Sequence, residues 1–363
     1  MPASRSTRTD TFLVFGIALA LGAAGWAAEA DDPPVARTLQ ELEQHIEEAG
    51  KTAPAWLDDT PLEYPETLNL DWEKVAEGWQ PNINLQTHVF GVIGRNATTL
   101  RRGIRLMHHV LEVNKDDPEK AKRTMTELGR LYAHAEEHVQ AAYWHQKAGV
   151  NRAEDAIAVA VCYHKLGCPQ AAVNMLNRVQ SSGRTPVGLI TAWAEIGQMG
   201  RAKRLAEQLG GTSVGDAAFL AMGNACRRAG EYGKALGYYR RCQAVRTGNR
   251  RNQANKNRAR SGLEALAGFA DVNVAAIPDG TYEAESRGYR GPVKVAVTVK
   301  DGRIESVRVA QHREDRTLGG EVATPTHIVE KQGIKGVDAV TGASTTTDAI
   351  LNATAKALTR AGK

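Results

Sequence analysis

The stretch "VKVAVTVKDGRIESVRVAQ", residues 293–311, decides the fold of the C-terminal part of this chain. Val293, Val295, Val297 and Val299 alternate strictly, the period of a half-buried strand. Asp301-Gly302 is a strong hairpin turn, and Arg303–Gln311 is its expected returning strand. Upstream, "DGTYEAES" (279–286) reads as another short strand. Downstream, "TPTHIVEKQG" (324–333) reads as a short helix, with Thr324 as N-cap, Pro325 at the first helical position and Gly333 at the end. "VDAV" (337–340) is a brief apolar strand or turn. "TTTDAILNATAKALTRAG" (345–362) closes as an amphipathic helix with Ala349, Ile350, Ala353, Ala357 and Leu358 on one face. The period changes after Ile277, so residues 277–363 are expected to form a separate α+β domain that folds alone.

Before that switch the chain is helical and self-similar from Pro118 to Ala244. "LGRLYAHA", "AVAVCYHKLG", "LITAWAEIGQMG" and "LAMGNACRRAG" read as successive first helices. "AAYWHQKA", "PQAAVNMLNRV", "RAKRLAEQL" and "KALGYYRRC" read as the second helices. Gly167, Gly197 and Gly230 fall at the turns, near the period of tetratricopeptide repeats. "GNACRRAGEYGKALGYY" (223–239) most resembles that family, and the other units are degenerate. Stacked helix pairs of this kind are mostly binding surfaces without chemistry of their own.

The remaining segments set the context. The chain has 363 residues, 42% hydrophobic and 24% charged, with a net charge of +5, which argues against both disorder and a nucleic-acid partner. Arg5 and Arg8, an apolar run over Phe12–Ala24 and Ala28-Glu29-Ala30 read as a secretory signal peptide over residues 1–30, cleaved before Asp31. The alternative is an uncleaved anchor. Residues 31–117 form an N-terminal helical region with a short helix around Leu39–Ala49 and another near Leu100–Val113. Residues 245–276 form a basic linker and a capping helix. The basic run Arg240–Arg260 is a solvated face or, alternatively, a docking site for an acidic partner or anionic lipid. Cys162, Cys168, Cys226 and Cys242 permit three disulfide pairings in an oxidising compartment, but buried free thiols are the favoured reading. His134-Ala-Glu-Glu137-His138 fits an inverted zinc-protease signature, yet lies in the repeats without any protease context.

The chemistry concentrates in "DAVTGASTTTDAI", residues 338–350. Gly342 and Ala343 remove bulk, and Thr341, Ser344, Thr345, Thr346 and Thr347 place five hydroxyls at a helix start. Such a terminus presents unpaired N–H groups and partial positive charge, a natural seat for phosphate or, equally, ordinary capping. Gly288, Tyr289 and Gly291 mark either a turn or a point of close approach, and His312 lies in the same hairpin region.

The run Asp338-Ala339-Val340-Thr341-Gly342-Ala343-Ser344 resembles the flavinylation motif D-x-x-[S/T]-G-A-[S/T] at every position. Residues 277–361 resemble the FMN-binding domain family, whose relatives include the C subunit of the sodium-pumping NADH:quinone reductase and the G subunit of Rnf-type complexes. The resemblance implies FMN held covalently through its phosphate on Ser344. A periplasmic FMN transferase would attach it, with Asp338 needed for transfer and Gly342 and Ala343 admitting the loop. Thr341 completes the motif, and Thr345 is the nearest rival acceptor. Many relatives carry threonine where this chain has Ser344. The expected whole is multidomain: an all-α tetratricopeptide-like array over 118–244, followed by a small α+β FMN-binding domain over 277–363. It is expected to be an exported, periplasmic electron-transfer flavoprotein, its redox partner proteins including membrane-associated ones. The alternative is an interaction scaffold with a structural or non-covalent FMN module.

Overall fold

The computed structural model describes residues 36–93, 97–183, 185–246, 250–269, 271–314, 320–337 and 344–362. The expected signal peptide lies outside these residues.

Strong local signals produce the first elements. Helix α1 (Leu39–Ala49) opens on a complete capping box, Thr38 and Glu41 each satisfying the other's backbone N–H. A short α2 (Leu85–His88) runs into a π-helical turn and then α3 (Ala97–Val113). Asp117 caps α4 (Pro118–His134), whose first residue is the proline that needs no N–H partner.

Helix α4 pairs with α5 (His138–Ala148), α6 (Ala153–Lys165) with α7 (Pro169–Ser181), α8 (Gly188–Glu195) with α9 (Met199–Gly210), and α10 (Gly215–Arg228) with α11 (Tyr232–Ala244). One hydrogen bond recurs at every pair's turn. The N–H of Glu137, Cys168, Gln198 and Glu231 donates to the carbonyl of Tyr132, Tyr163, Trp193 and Cys226 respectively. This six-to-one bond requires a left-handed residue just before its donor. Gly167, Gly197 and Gly230 supply it with φ of 87°, 78° and 77°, and Glu136 supplies it in the first pair with φ of 61°. The same turn places His134 at the end of one helix and His138 at the start of the next. The two histidines therefore do not share a helix face as the protease signature requires. Among the described residues no cluster of histidine, cysteine or acidic groups could hold a metal ion.

All four cysteines are buried free thiols. Cys162 and Cys168 belong to the second pair, and Cys226 and Cys242 to the fourth.

The basic run becomes α12 (Arg250–Leu266), which packs on both α10 and α11. Beyond it, β1 (Gly280–Arg287), β2 (Pro292–Lys300) and β3 (Arg303–Gln311) form an antiparallel sheet in that order. Val297 pairs with Tyr282 on one side and Val307 on the other. Asp301 and Gly302 both take positive φ, 49° and 70°, the primed turn whose twist matches its strands. Val293, Val295, Val297 and Val299 are all buried, as their alternation predicts.

Two expectations need correction. Helix α13 spans Gly320–Lys331, so Pro325 lies inside it and Thr324 is not its cap. A turn of helix precedes the proline, which removes one intrahelical bond, while Thr324 is fully buried and donates through Oγ1 to Thr347 Oγ1 at 3.3 Å. The closing helix α14 (Ser344–Ala361) is not amphipathic in place. Its apolar face covers β1 and β2, but its polar face, including Asp348, Asn352 and Thr359, is buried as well. Helix α12 covers that second face. Residues 35–363 accordingly form one compact unit, in which the C-terminal domain shares an extended interface with the helical region.

Candidate functional site

The start of α14 is held from two sides. On the sheet side stands Glu314, three residues beyond β3 and buried. Its Oε1 accepts the N–H of Arg290 at 2.8 Å, and its Oε2 accepts the N–H of Tyr289 at 2.9 Å. The same carboxylate accepts the Thr346 hydroxyl. One buried side chain thus joins the turn between β1 and β2 to the first turn of α14. Gly288 and Gly291 close that turn, Gly288 N–H donating to Gly291 C=O at 2.7 Å. Tyr289 projects from it, 77% exposed.

On the helical side stands Asp348, four residues after Ser344 and buried. Arg227 of α10 donates through Nη2 to Asp348 Oδ1 at 3.1 Å. Arg258 of α12 donates to Oδ2 through Nε at 3.0 Å and Nη2 at 2.7 Å. Further along the interface Lys356 pairs with Glu264 of α12 at 3.0 Å.

Ser344 is the first residue of α14. Asp338, Thr341, Gly342 and Ala343 lie outside the described residues, as does the side chain of Ser344. Thr345 is half-buried. Of the hydroxyls that the sequence places at this helix start, those of Thr346 and Thr347 turn inward, to Glu314 and Thr324. Fewer therefore remain for a ligand than the sequence suggests. The chemistry of this terminus still fits a phosphate group. An 18-residue helix turns the positive end of its dipole toward the point where Ser344 begins it. Gly288, Tyr289 and Gly291 form a turn, and that turn delivers two amides to Glu314. His312 is half-buried two residues before it.

Sequence reasoning missed Glu314, Asp348, Arg227 and Arg258. A lone glutamate in "HRED", an arginine in "NACRRAG" and another in the basic run carry no local sign of burial.

Residues 288–359 match the family described as "FMN-binding domain". That span runs from the Gly288 turn to the last turns of α14, so it includes Glu314 and Asp348 but not Arg227 and Arg258. An uncharacterized protein of Treponema pallidum (strain Nichols) is 36% identical over 86 residues, covering 23% of this chain and 24% of that protein. The chain thus spans about a quarter of the length of this curated relative. The family match makes the C-terminal part an FMN-binding domain and supports a flavin-binding protein.

Proposed function

We propose that this chain is an exported electron carrier whose FMN is esterified through its phosphate to Ser344. The observation that carries the reading is the position of Ser344. It is the last residue of the motif Asp338–Ser344 and also the first residue of α14, within the span that matches the FMN-binding domain. In the attachment step the serine oxygen bonds to the FMN phosphorus of FAD, the bond from that phosphorus to the AMP oxygen breaks, and AMP leaves. The hydroxyl proton departs, and no electron changes hands. The bound flavin supplies the redox chemistry, and the protein supplies position and electrostatics. A covalent link suits a carrier outside the cytoplasm, where a lost flavin has no source of replacement.

The helical pairs are read as tetratricopeptide-like, with a redox partner protein as their ligand. Support for that reading is the turn geometry repeated from Glu136 to Gly230.

The test is the intact mass of the full chain, expressed with an FMN transferase in an exporting host. The expected product begins at Asp31 and carries one FMN. Ser344→Ala is expected to lose the adduct and keep the fold. A wild-type chain without adduct under these conditions leaves a non-covalent flavin module at most.

A further inference from the structure

Asp348 is one turn below Ser344 on the same helix, about 6 Å along its axis at the usual rise per residue. Its carboxylate is buried, and both its oxygens are taken by guanidinium groups from outside the FMN-binding domain. Arg227 is itself 2% exposed and sits in the last helix pair. A second contact lies on the other side of the motif. Gly336 N–H donates to the carbonyl of Arg228 at 2.9 Å. The Lys335 side chain lies over Gly230, where an added Cβ would stand 3.0 Å from its Cδ. The chain entering the motif and the helix leaving it are therefore both fastened to the end of α10 and the turn that follows.

Helix α12 completes the fastening. Asn252 and Asn255 donate to the two oxygens of Asp216 in α10, at 3.0 and 2.7 Å, so α12 is locked to the last pair before Arg258 reaches across to Asp348.

Resting on the assignment of Ser344 as acceptor, we propose that the last helix pair is part of the acceptor's mounting. In this proposal Asp348, Arg227 and Arg258 are positioning residues for flavin attachment. The array then does more than dock a partner: its final turn fixes where α14 begins and how Ser344 is offered. A buried charge pair broken on one side leaves the other charge unpaired, and the local structure shifts to relieve it. Misplacement of a reacting group by about 1 Å costs up to about a hundredfold in rate.

The experiment uses the full chain, purified without flavin from a host lacking the transferase. It is then incubated with an FMN transferase and FAD, and the adduct is followed by intact mass. Asp348→Asn is expected to slow attachment about ten- to a hundredfold while circular dichroism stays that of the wild type. Asp348→Glu, which keeps the charge, is expected to recover most of the rate. Lys356→Ala, which removes the more distant ion pair of the same interface, is expected to attach flavin at the wild-type rate. If Asp348→Asn does not fold, Arg258→Lys takes its place, keeping the cation while losing the two-nitrogen geometry. Equal rates for wild type and the folded variant overturn the proposal. So does a Lys356→Ala chain slowed as much as Asp348→Asn, because the effect then belongs to the whole interface. A wild type that never gains the adduct overturns the acceptor assignment, and this proposal with it.

Discussion

The carboxylate of Glu314 lies against the bare Cα of Gly288. A Cβ built on Gly288 would stand 2.7 Å from Glu314 Oε1 and 2.8 Å from its Cδ and from Val293 Cγ2. The glycine is thus required by packing: its φ is not in the left-handed region, but no side chain fits beside the acid. Gly288→Ala is expected to destabilise the protein by about 1–3 kcal/mol through overpacking. Glu314→Gln, which replaces one acceptor oxygen by a donor facing N–H groups, is expected to cost a similar amount. Thermal unfolding followed by circular dichroism checks both, and unchanged midpoints would remove Glu314 from the account of this site.

Acid should weaken the protein through histidines buried in the helical region. Burial, helped by the nearby Arg105, pushes His108 down from 6.5 to about 4, with its Nε2 2.8 Å from the Tyr132 hydroxyl. Burial also lowers His88 and His145. A histidine depressed in the fold contributes stability above its unfolded pKa of 6.5, and that contribution is lost as pH falls toward 4. For His108 the loss by pH 4.5 is about 2–3 kcal/mol. Urea midpoints measured at pH 7 and pH 4.5 should separate accordingly, and His108→Gln should narrow the gap.

The motif makes a prediction about neighbours. Thr345→Ala is expected to keep the FMN adduct, since Thr345 lies one residue beyond the motif. Asp338→Ala is expected to lose it, because the proposed attachment makes its carboxylate part of what the transferase recognises. Mass spectrometry of each variant decides. An adduct that survives Ser344→Ala and vanishes with Thr345→Ala moves the ester by one residue.

The repeated turns predict opposite signs for one kind of exchange. Glu136 holds φ of 61° where the later turns have glycine. Glu136→Gly is expected to stabilise the chain by about 1 kcal/mol, relieving a left-handed residue that carries a Cβ. Gly197→Ala, at φ of 78° with nothing within 4 Å of the added methyl, is expected to cost about the same. Gly230→Ala should cost more, because Lys335 occupies the space. Chemical denaturation of the three variants tests the series.

What could be read in advance was what local period and turn chemistry determine. Helix α1, the hairpin at Asp301-Gly302, the buried valines of β2 and the glycines of three helix turns all declare themselves within a few residues. The start of α13 did not, because Pro325 is a helix-start residue by preference. The buried polar face of α14 did not either. Asp348 reads as a solvent-facing acid until Arg227 and Arg258 are brought to it from 121 and 90 residues away. Glu314 is hidden in the same way: its partners are amides of a turn 24 and 25 residues upstream. Such polar pairings across elements leave no period in the chain. For the same reason the independent folding expected of residues 277–363 meets an interface that the fragment would leave exposed along α14.

The placement of the thiols has a use of its own. Burial pushes Cys162 up to about 12, Cys226 to about 11 and Cys242 to about 12, so these sulfurs stay protonated and unreactive while their helices are closed. They are distributed two by two, Cys162 and Cys168 in the second pair and Cys226 and Cys242 in the fourth, the pair that holds α14. A thiol label added to the native protein therefore acts as a clock with two hands. Modification at 162 and 168 times the opening of the middle of the array, and modification at 226 and 242 times the release of the flavin-bearing end.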